Sequence, residues 1–290
     1  MKALYDLPAP AKLNLFLHVT GRRADGFHLL QSIFMLIDWC DVMHVERRTD
    51  GEITREDLTT RLPADDLVLR AAKALQAFTQ TSYGTHIGIA KHVPAQAGMG
   101  GGSSDAATCL LALNRLWDLH LPLPALERIG LSLGADVPFF LRGRNALVEG
   151  VGEQITPGSL PPGQFVVVKP QPGLDTRLIF AAPDLERSTP TAIISGFAAH
   201  GETQDEIEVK GFDFDFGHND LQPVAERLCP AVSDAIDWLG RQGLKARMTG
   251  SGSSVFAAMP HEAQLAAAPS GWQVRKCSNL AAHPLLGWAV

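Results

Sequence analysis

The sequence predicts an α+β fold in two parts, and three observations carry that reading. Alternating and helical stretches follow one another without the regular strand-helix-strand rhythm of a doubly wound sheet. A glycine-rich loop lies between a short strand and a helix, well into the chain and not behind a first strand. The 290 residues exceed the roughly 100–200 of one ordinary domain, and composition shifts at Pro161-Pro162-Gly163, dividing the chain into 1–160 and 161–290.

The elements follow in order. Leu13, Leu15, Leu17 and Val19 share one face, with Lys12, Asn14, Phe16 and His18 on the other, which predicts a half-buried strand. Asp25-Gly26 marks a turn, and the apolar residues of 29–45 supply one or two further strands. Residues 46–63 are polar and read as hairpin or loop. Leu67, Ala71, Ala74 (or Leu75) and Phe78 repeat at helical spacing behind Asp65 or Asp66 as cap. A short strand over 87–93 leads into the glycines of 98–104, and Ala106, Cys109, Leu110, Leu113 and Leu116 form the apolar face of the next helix. A shorter helix over 126–133 precedes Gly134-Ala135-Asp136-Val137-Pro138. Val148, Val151 and residues 165–168 predict strands between Gly and Pro turns. Leu221, Ala225, Leu228, Val232, Ala235 and Leu239 predict one helix closed by Gly243, and residues 248–259 run from strand through glycine turn to strand.

Hydrophobic residues make up 46% and charged residues 19%, an ordinary globular composition that excludes collagen, coiled coil and disorder. With 25 basic and 31 acidic residues the net charge is -6, so the chain lacks the basic excess of a nucleic-acid or anionic-membrane binder. A phosphorylated partner must be met by a local site. Cys40, Cys109, Cys229 and Cys277 form no Cys-x-x-Cys pair and read as reduced, mostly buried thiols. No histidine pair has metal spacing. No apolar signal core follows Met1 and no apolar run of about 18 residues occurs, so a cytoplasmic protein is expected.

The strongest single feature is Pro94 to Asp105, with glycines at 98, 100, 101 and 102 opening a helix. Adjacent glycines let backbone N–H groups converge without side-chain obstruction, and a helix N-terminus adds partial positive charge. That is a phosphate cradle; the alternative is a plain turn with Ser104 or Asp105 capping the helix. The loop is not a P-loop, since Ser103 and Ser104 follow Gly102 with no lysine, and it fails the dinucleotide G-x-G-x-x-G pattern. Asp136 before Val137-Pro138 reads locally as a helix cap, Lys12 as a snorkelling strand lysine, and 249–254 as a hairpin turn.

Pro10-Ala11-Lys12-Leu13-Asn14-Leu15, the loop 94–104, Gly134 to Phe140 and Met248 to Val255 occur in that order, and the chain resembles the GHMP small-molecule kinases along nearly its whole length. Gly21-Arg22-Arg23-Ala24-Asp25-Gly26-Phe27-His28 resembles, within that family, a member that phosphorylates a cytidine diphosphate sugar alcohol. The resemblance implies an N-terminal part like the second domain of ribosomal protein S5, a C-terminal ferredoxin-like part and an active site in the cleft between them. It implies ATP and Mg²⁺, and a small-molecule acceptor, with neither nucleic acid nor membrane as partner. Pro94, Ala95, Gln96, Ala97, Gly98, Met99, Gly100, Gly101, Gly102, Ser103 and Ser104 would hold the phosphates, with Ser104 near the metal. Lys91 and Asp66 would lie by the purine; at 66 the family often has Asn. By the same resemblance Asp136 would take the acceptor proton and Lys12 would favour the alkoxide. Asn14, Thr176, Gly250 and Ser251 would bind the acceptor, Phe27 and Phe180 would sandwich the base, and His28 would read its edge. At 27 the family often has Tyr, so a hydroxyl is missing there. The resemblance assigns no carboxylate to the metal. Another family member, such as a homoserine or mevalonate kinase, would not need the sandwich, and a non-catalytic ligand-binding relative would have lost Lys12 or Asp136, both of which are present.

Overall fold

Two long strands organise the first half of the chain. The computed structural model describes residues 1–194 and 212–289. β1 (Ala3–Arg22) and β2 (His28–Arg48) form an antiparallel hairpin closed at the predicted turn, where Gly26 adopts φ +91°. The 21 residues of β2 are enough for β1 along one edge and two neighbours along the other. There β4 (Gly84–Ala90) pairs with residues 42–48 and β5 (Ala146–Gly150) with residues 30–34. β3 (Ile53–Asp57) lies parallel to β4, and β6 (Gln154–Pro157) closes the far edge beside β5.

Helices α1 (Leu67–Thr79), α2 (Gly101–Leu116), α3 (Leu123–Leu133) and α4 (Val137–Arg142) pack around one face of this sheet. Of the two candidate caps, Asp65 and Asp66, it is Asp66 that caps α1, its side chain accepting from Leu69 N at 3.1 Å. Nearly every residue of α2 from Ser104 to Leu116 is buried, because this helix is wrapped by β1, β2 and the other three helices.

The opposite face of the sheet meets the second half. There β7 (Gln164–Lys169) pairs with both β9 (Val255–Ala258) and β10 (Gln273–Ser278), and β8 (Arg247–Met248) lies outside β9, all antiparallel. α5 (Thr176–Ala181), α6 (Gln222–Leu228) and α7 (Pro230–Gly240) accompany that sheet. Helices and antiparallel strands are thus segregated as α+β requires.

Five expectations change. The strand over 12–19 is buried on both faces, because β1 and β2 lie between two cores; Leu13 and Ile33 pack on one side while Phe34 and Leu36 pack on the other. The stretch 46–63 contains the end of β2 and all of β3. The strand at 87–93 runs from Gly84 and stops at Ala90, since His92 N and Val93 N donate to the Asp41 carboxylate in place of a sheet neighbour. The shorter helix starts at Leu123, three residues early, with Pro124 in its first turn. The single helix over 221–239 is two, broken at Cys229 because Pro230 lacks an N–H and clashes with the preceding turn. All four cysteines are free, with Cys109, Cys229 and Cys277 buried.

Candidate active site

The glycine loop between β4 and α2 contains two kinds of glycine. Gly98 and Gly100 lie at φ +70° and +68°, where an L side chain is strained. A Cβ on Gly98 would stand 2.2 Å from the carbonyl oxygen of Thr249, so two glycine loops distant in sequence touch backbone to backbone. Gly101 and Gly102 are already helical, and α2 begins without any side-chain cap. Ser104 and Asp105, the alternative caps, lie inside the helix and are buried. The first N–H groups of α2 are therefore left to an anion, as a phosphate cradle requires. The loop backs a cleft of about 670 Å³ lined by Pro94 to Ser103, with Asp66, Lys91 and Asp105. Ser104 does not line it.

Beneath the cradle lies a charged cluster that sequence reading missed. The Lys91 ammonium is paired with both Asp41 and Asp105, which joins the end of β4 to β2 and to the first turns of α2. Asp41 also accepts from His92 N and Val93 N. Burial pushes Asp105 up to about 8 against the pull of Lys91. The three side chains form one largely buried, mutually hydrogen-bonded cluster beside the cradle. Asp66 is engaged too, since its carboxylate pairs with Arg55 at 2.6 Å besides capping α1.

A smaller cavity of about 330 Å³ holds Lys12, Asn14 and Asp136. β1 brings Lys12 and Asn14 to one face two residues apart, and the Lys12 ammonium hydrogen-bonds Asn14 Oδ1. The ammonium also lies 4.2 Å from the Phe34 ring centroid and 3.7 Å from Asp136 Oδ2. Lys12 is only 4% exposed. Burial pushes it below the ordinary lysine value, and the Asp136 carboxylate pulls it part of the way back. Asp136 stands before α4, yet its backbone is already helical (φ -82°, ψ -14°) and its side chain caps nothing. The capping reading fails because the carboxylate turns to Lys12.

The second glycine loop closes this cavity from the other half of the chain. Thr249 Oγ1 accepts from Asn14 N at 2.8 Å, and Asn219 Nδ2 donates to the carbonyls of Met248 and Gly250 at 2.8 Å each. Gly250 is at φ +54° and a Cβ there would meet Gly98 O at 2.6 Å. Ser251 and Thr176 hydroxyls are 2.6 Å apart. Gly98, Gly100, Thr176 and Ser251 line both the larger and the smaller cavity, so the two share a wall.

The base-binding residues are arranged less simply. Phe180 lines the smaller cavity, and the His28 ring lies against it with centroids 5.0 Å apart at 34°. His28 thus occupies one approach to Phe180. Phe27 is 62% exposed on the hairpin turn and lines neither cavity. Arg187 fastens the arrangement, its guanidinium donating to His28 Nε2 and to the carbonyls of Phe180 and Ala182. Neither Arg187 nor Asn219 stands in a stretch whose spacing announces a role.

Comparison with known proteins places this geometry. The model of the GHMP kinases N terminal domain matches residues 66–144, and that of the GHMP kinases C terminal matches residues 197–277. A 4-diphosphocytidyl-2-C-methyl-D-erythritol kinase of Variovorax paradoxus (strain S110) is 73% identical, covering 100% of both chains. One from Paracidovorax citrulli (strain AAC00-1) is 64% identical over 100% of this chain and 99% of its own. A crystal structure of 4-(cytidine 5'-diphospho)-2C-methyl-D-erythritol kinase superposes with a TM-score of 0.71 at 33% identity, covering 87% of this chain and 89% of that one.

Proposed function

The chain belongs to the GHMP kinases, and from that premise we propose that it transfers the γ-phosphoryl group of ATP to the 2-hydroxyl of 4-diphosphocytidyl-2-C-methyl-D-erythritol. The products are the 2-phosphate and ADP, on the methylerythritol phosphate route to isoprenoids. The observation that carries the reading is the wall shared by the two cavities at Gly98, Gly100, Thr176 and Ser251. A nucleotide on the cradle and an alcohol beside Lys12 and Asp136 would meet there, and phosphoryl transfer asks chiefly for such positioning and for charge stabilisation.

In this reading Asp136 accepts the hydroxyl proton as the oxygen attacks. At 3.7 Å from that carboxylate the Lys12 ammonium is placed to steady the developing alkoxide. Asn14 fixes the ammonium from the other side and turns the acceptor's polar groups. The α2 N-terminus and the 98–102 amides hold the phosphates, and the 250–251 backbone closes over them. Lys91 and Asp66 flank the purine. The cytosine stacks on Phe180 beside His28, with Phe27 on the hairpin turn reaching its other face.

Mg²⁺ accompanies the nucleotide in this proposal, where it would neutralise charge on the phosphates. Among the described residues no three His, Cys, Asp or Glu side chains cluster to hold a metal, and Asp105 and Asp136 are engaged with lysines. The Ser104 hydroxyl is buried without a hydrogen-bond partner. The chain therefore fits a cation carried in on phosphates, the usual habit of Mg²⁺, and not a protein cage. Residues 1–160 are assigned to the ATP-binding part and 161–290 to the part that completes the acceptor cavity. A cytoplasmic location is part of this proposal; among the described residues no helix is long and apolar enough to cross a membrane.

The test is ADP release over a panel of acceptor alcohols, with and without Mg²⁺. The cytidine substrate should be turned over far better than homoserine or mevalonate. Equal turnover of the three would return the chain to an unspecified kinase of its family.

A further inference from the structure

A histidine that reads a base edge must present a defined hydrogen-bonding atom, and a neutral imidazole can present either of two. At His28 the choice is made by a neighbour. Arg187 Nε donates to His28 Nε2 at 3.1 Å. A guanidinium has five donors and no acceptor. The ring nitrogen it meets must therefore be bare, which leaves the proton of neutral His28 on Nδ1. Protonating both nitrogens would set an N–H against an N–H, and His28 is accordingly held below the ordinary histidine value by burial, by Arg187 and by Arg22. The free nitrogen, Nδ1, hydrogen-bonds no described side chain or backbone group.

We propose that Arg187 is a positioning residue for base selection: it fixes His28 as the Nδ1–H form, so the base edge it reads must offer an acceptor. Cytosine does so at N3, which is a bare ring nitrogen. Uracil carries a hydrogen at N3 and would face the Nδ1–H donor with another donor. Stacking on Phe180 is blind to this difference, since both bases have the same faces. The selection thus rests on the one Nδ1 proton that faces the base, placed by an arginine that never touches the base.

The position of Arg187 is itself determined. Its remaining N–H groups donate to the carbonyls of Phe180, Ala182 and Leu185, so the same guanidinium that orients His28 also ties down the segment bearing Phe180. Ring and stacking platform are set relative to one another by a single side chain. This makes Arg187→Gln the informative change, because a glutamine can offer either an N–H or a carbonyl to His28 and no longer dictates the tautomer.

The proposal rests on the reading that the acceptor carries cytidine, and the experiment separates the two. Inhibition by cytidine 5'-diphosphate and by uridine 5'-diphosphate is measured on the intact chain and on Arg187→Gln, and the ¹⁵N shifts of the His28 ring are recorded on the intact chain. The intact chain should prefer the cytidine ligand by roughly ten- to a hundredfold, the scale of one buried hydrogen bond replaced by a clash. Arg187→Gln should lose most of that ratio while KM for ATP stays unchanged, and His28 of the intact chain should show a protonated Nδ1 and a bare Nε2. A merely structural arginine would weaken both ligands alike and leave the ratio intact, which overturns the proposal. So does a protonated Nε2 in the intact chain, a result that does not depend on the variant folding. If the intact chain shows no preference for the cytidine ligand, the cytidine reading itself falls and takes the proposal with it.

Discussion

Asp136→Asn separates chemistry from stability at the acceptor cavity. The substitution is nearly isosteric and removes one negative charge 3.7 Å from the Lys12 ammonium. Two unit charges at that distance interact by about 4.5 kcal/mol at an effective dielectric of about 20, and by about 1 kcal/mol in bulk water. The Asp136 side chain is 34% exposed, which draws the value toward the lower figure. Lys12 also keeps Asn14 Oδ1 and the Phe34 ring as neighbours when the carboxylate is gone. The fold should therefore lose only about 1–2 kcal/mol, a fall in Tm of several degrees at most. In the proposed mechanism the carboxylate is the proton acceptor, so turnover should drop by at least about a hundredfold. Coupled ADP release at saturating acceptor gives the turnover, calorimetry gives ATP affinity, and thermal unfolding gives Tm. Turnover within a few-fold of the unaltered enzyme, with the variant folded, would remove Asp136 from proton transfer.

Gly98→Ala should raise KM for ATP and for the acceptor together, because its Cβ would drive the two glycine loops apart at the shared wall, whereas Gly102→Ala, whose Cβ meets only Leu67 at 3.4 Å, should leave both nearly unchanged. Steady-state kinetics on the pair checks this, and equal effects would mean that the loop contact is irrelevant. Turnover should fall on the alkaline side with a midpoint below the ordinary lysine value of 10.5, since burial favours the neutral form of Lys12. For stability the sign is opposite: the unfolded chain binds the extra proton, so Lys12 adds stability as pH rises toward 10.5, and a fall in Tm would contradict the burial argument. Asp105→Asn should fold and turn over normally near pH 7, where burial keeps the native acid neutral. The folded form of Asp105 holds its proton from the unfolded value of 3.8 up to about 8, so the unaltered chain should lose stability relative to the variant across that window. A stability difference that does not vary with pH would show Asp105 ionised throughout.

The local parts of the site were legible because they are local. Glycines at 98, 100, 101 and 102 before an apolar helix can be read without knowing what surrounds them, and so can Asp66 as a cap. Burial of a lysine cannot. Lys12 looked like one residue of a half-solvated face, and only the fold brings Phe34, Gly100 and Asp136 around its ammonium on the helix side of the sheet and makes that face a cavity wall. Lys91 was visible as a basic residue near the cradle, but its partner Asp41 lies 50 residues away on β2, with nothing in the spacing to couple them. Arg187 and His28 are 159 residues apart. The helix break at Cys229 is a different kind of miss: Pro230 was in plain sight, and apolar periodicity on either side of it outweighed a rule that is nearly absolute.

The contacts between distant segments also say why both halves are needed for one reaction. β1 carries Lys12 and Asn14, donates Lys12 N to Met99 O in the first glycine loop at 3.0 Å, and donates Asn14 N to Thr249 in the second. The loops then touch each other at Gly98 and Gly250, and Asn219 holds the second loop by two carbonyls. Each hydrogen bond contributes about 1 kcal/mol net, too little to dominate stability. Their geometry matters more, because they make the wall between the two cavities, proposed to hold nucleotide and acceptor, out of backbone from both halves. A few tenths of an ångström lost at Gly98 would be felt on both sides of that wall, where phosphoryl transfer depends on the attacking oxygen and the phosphorus being held in line.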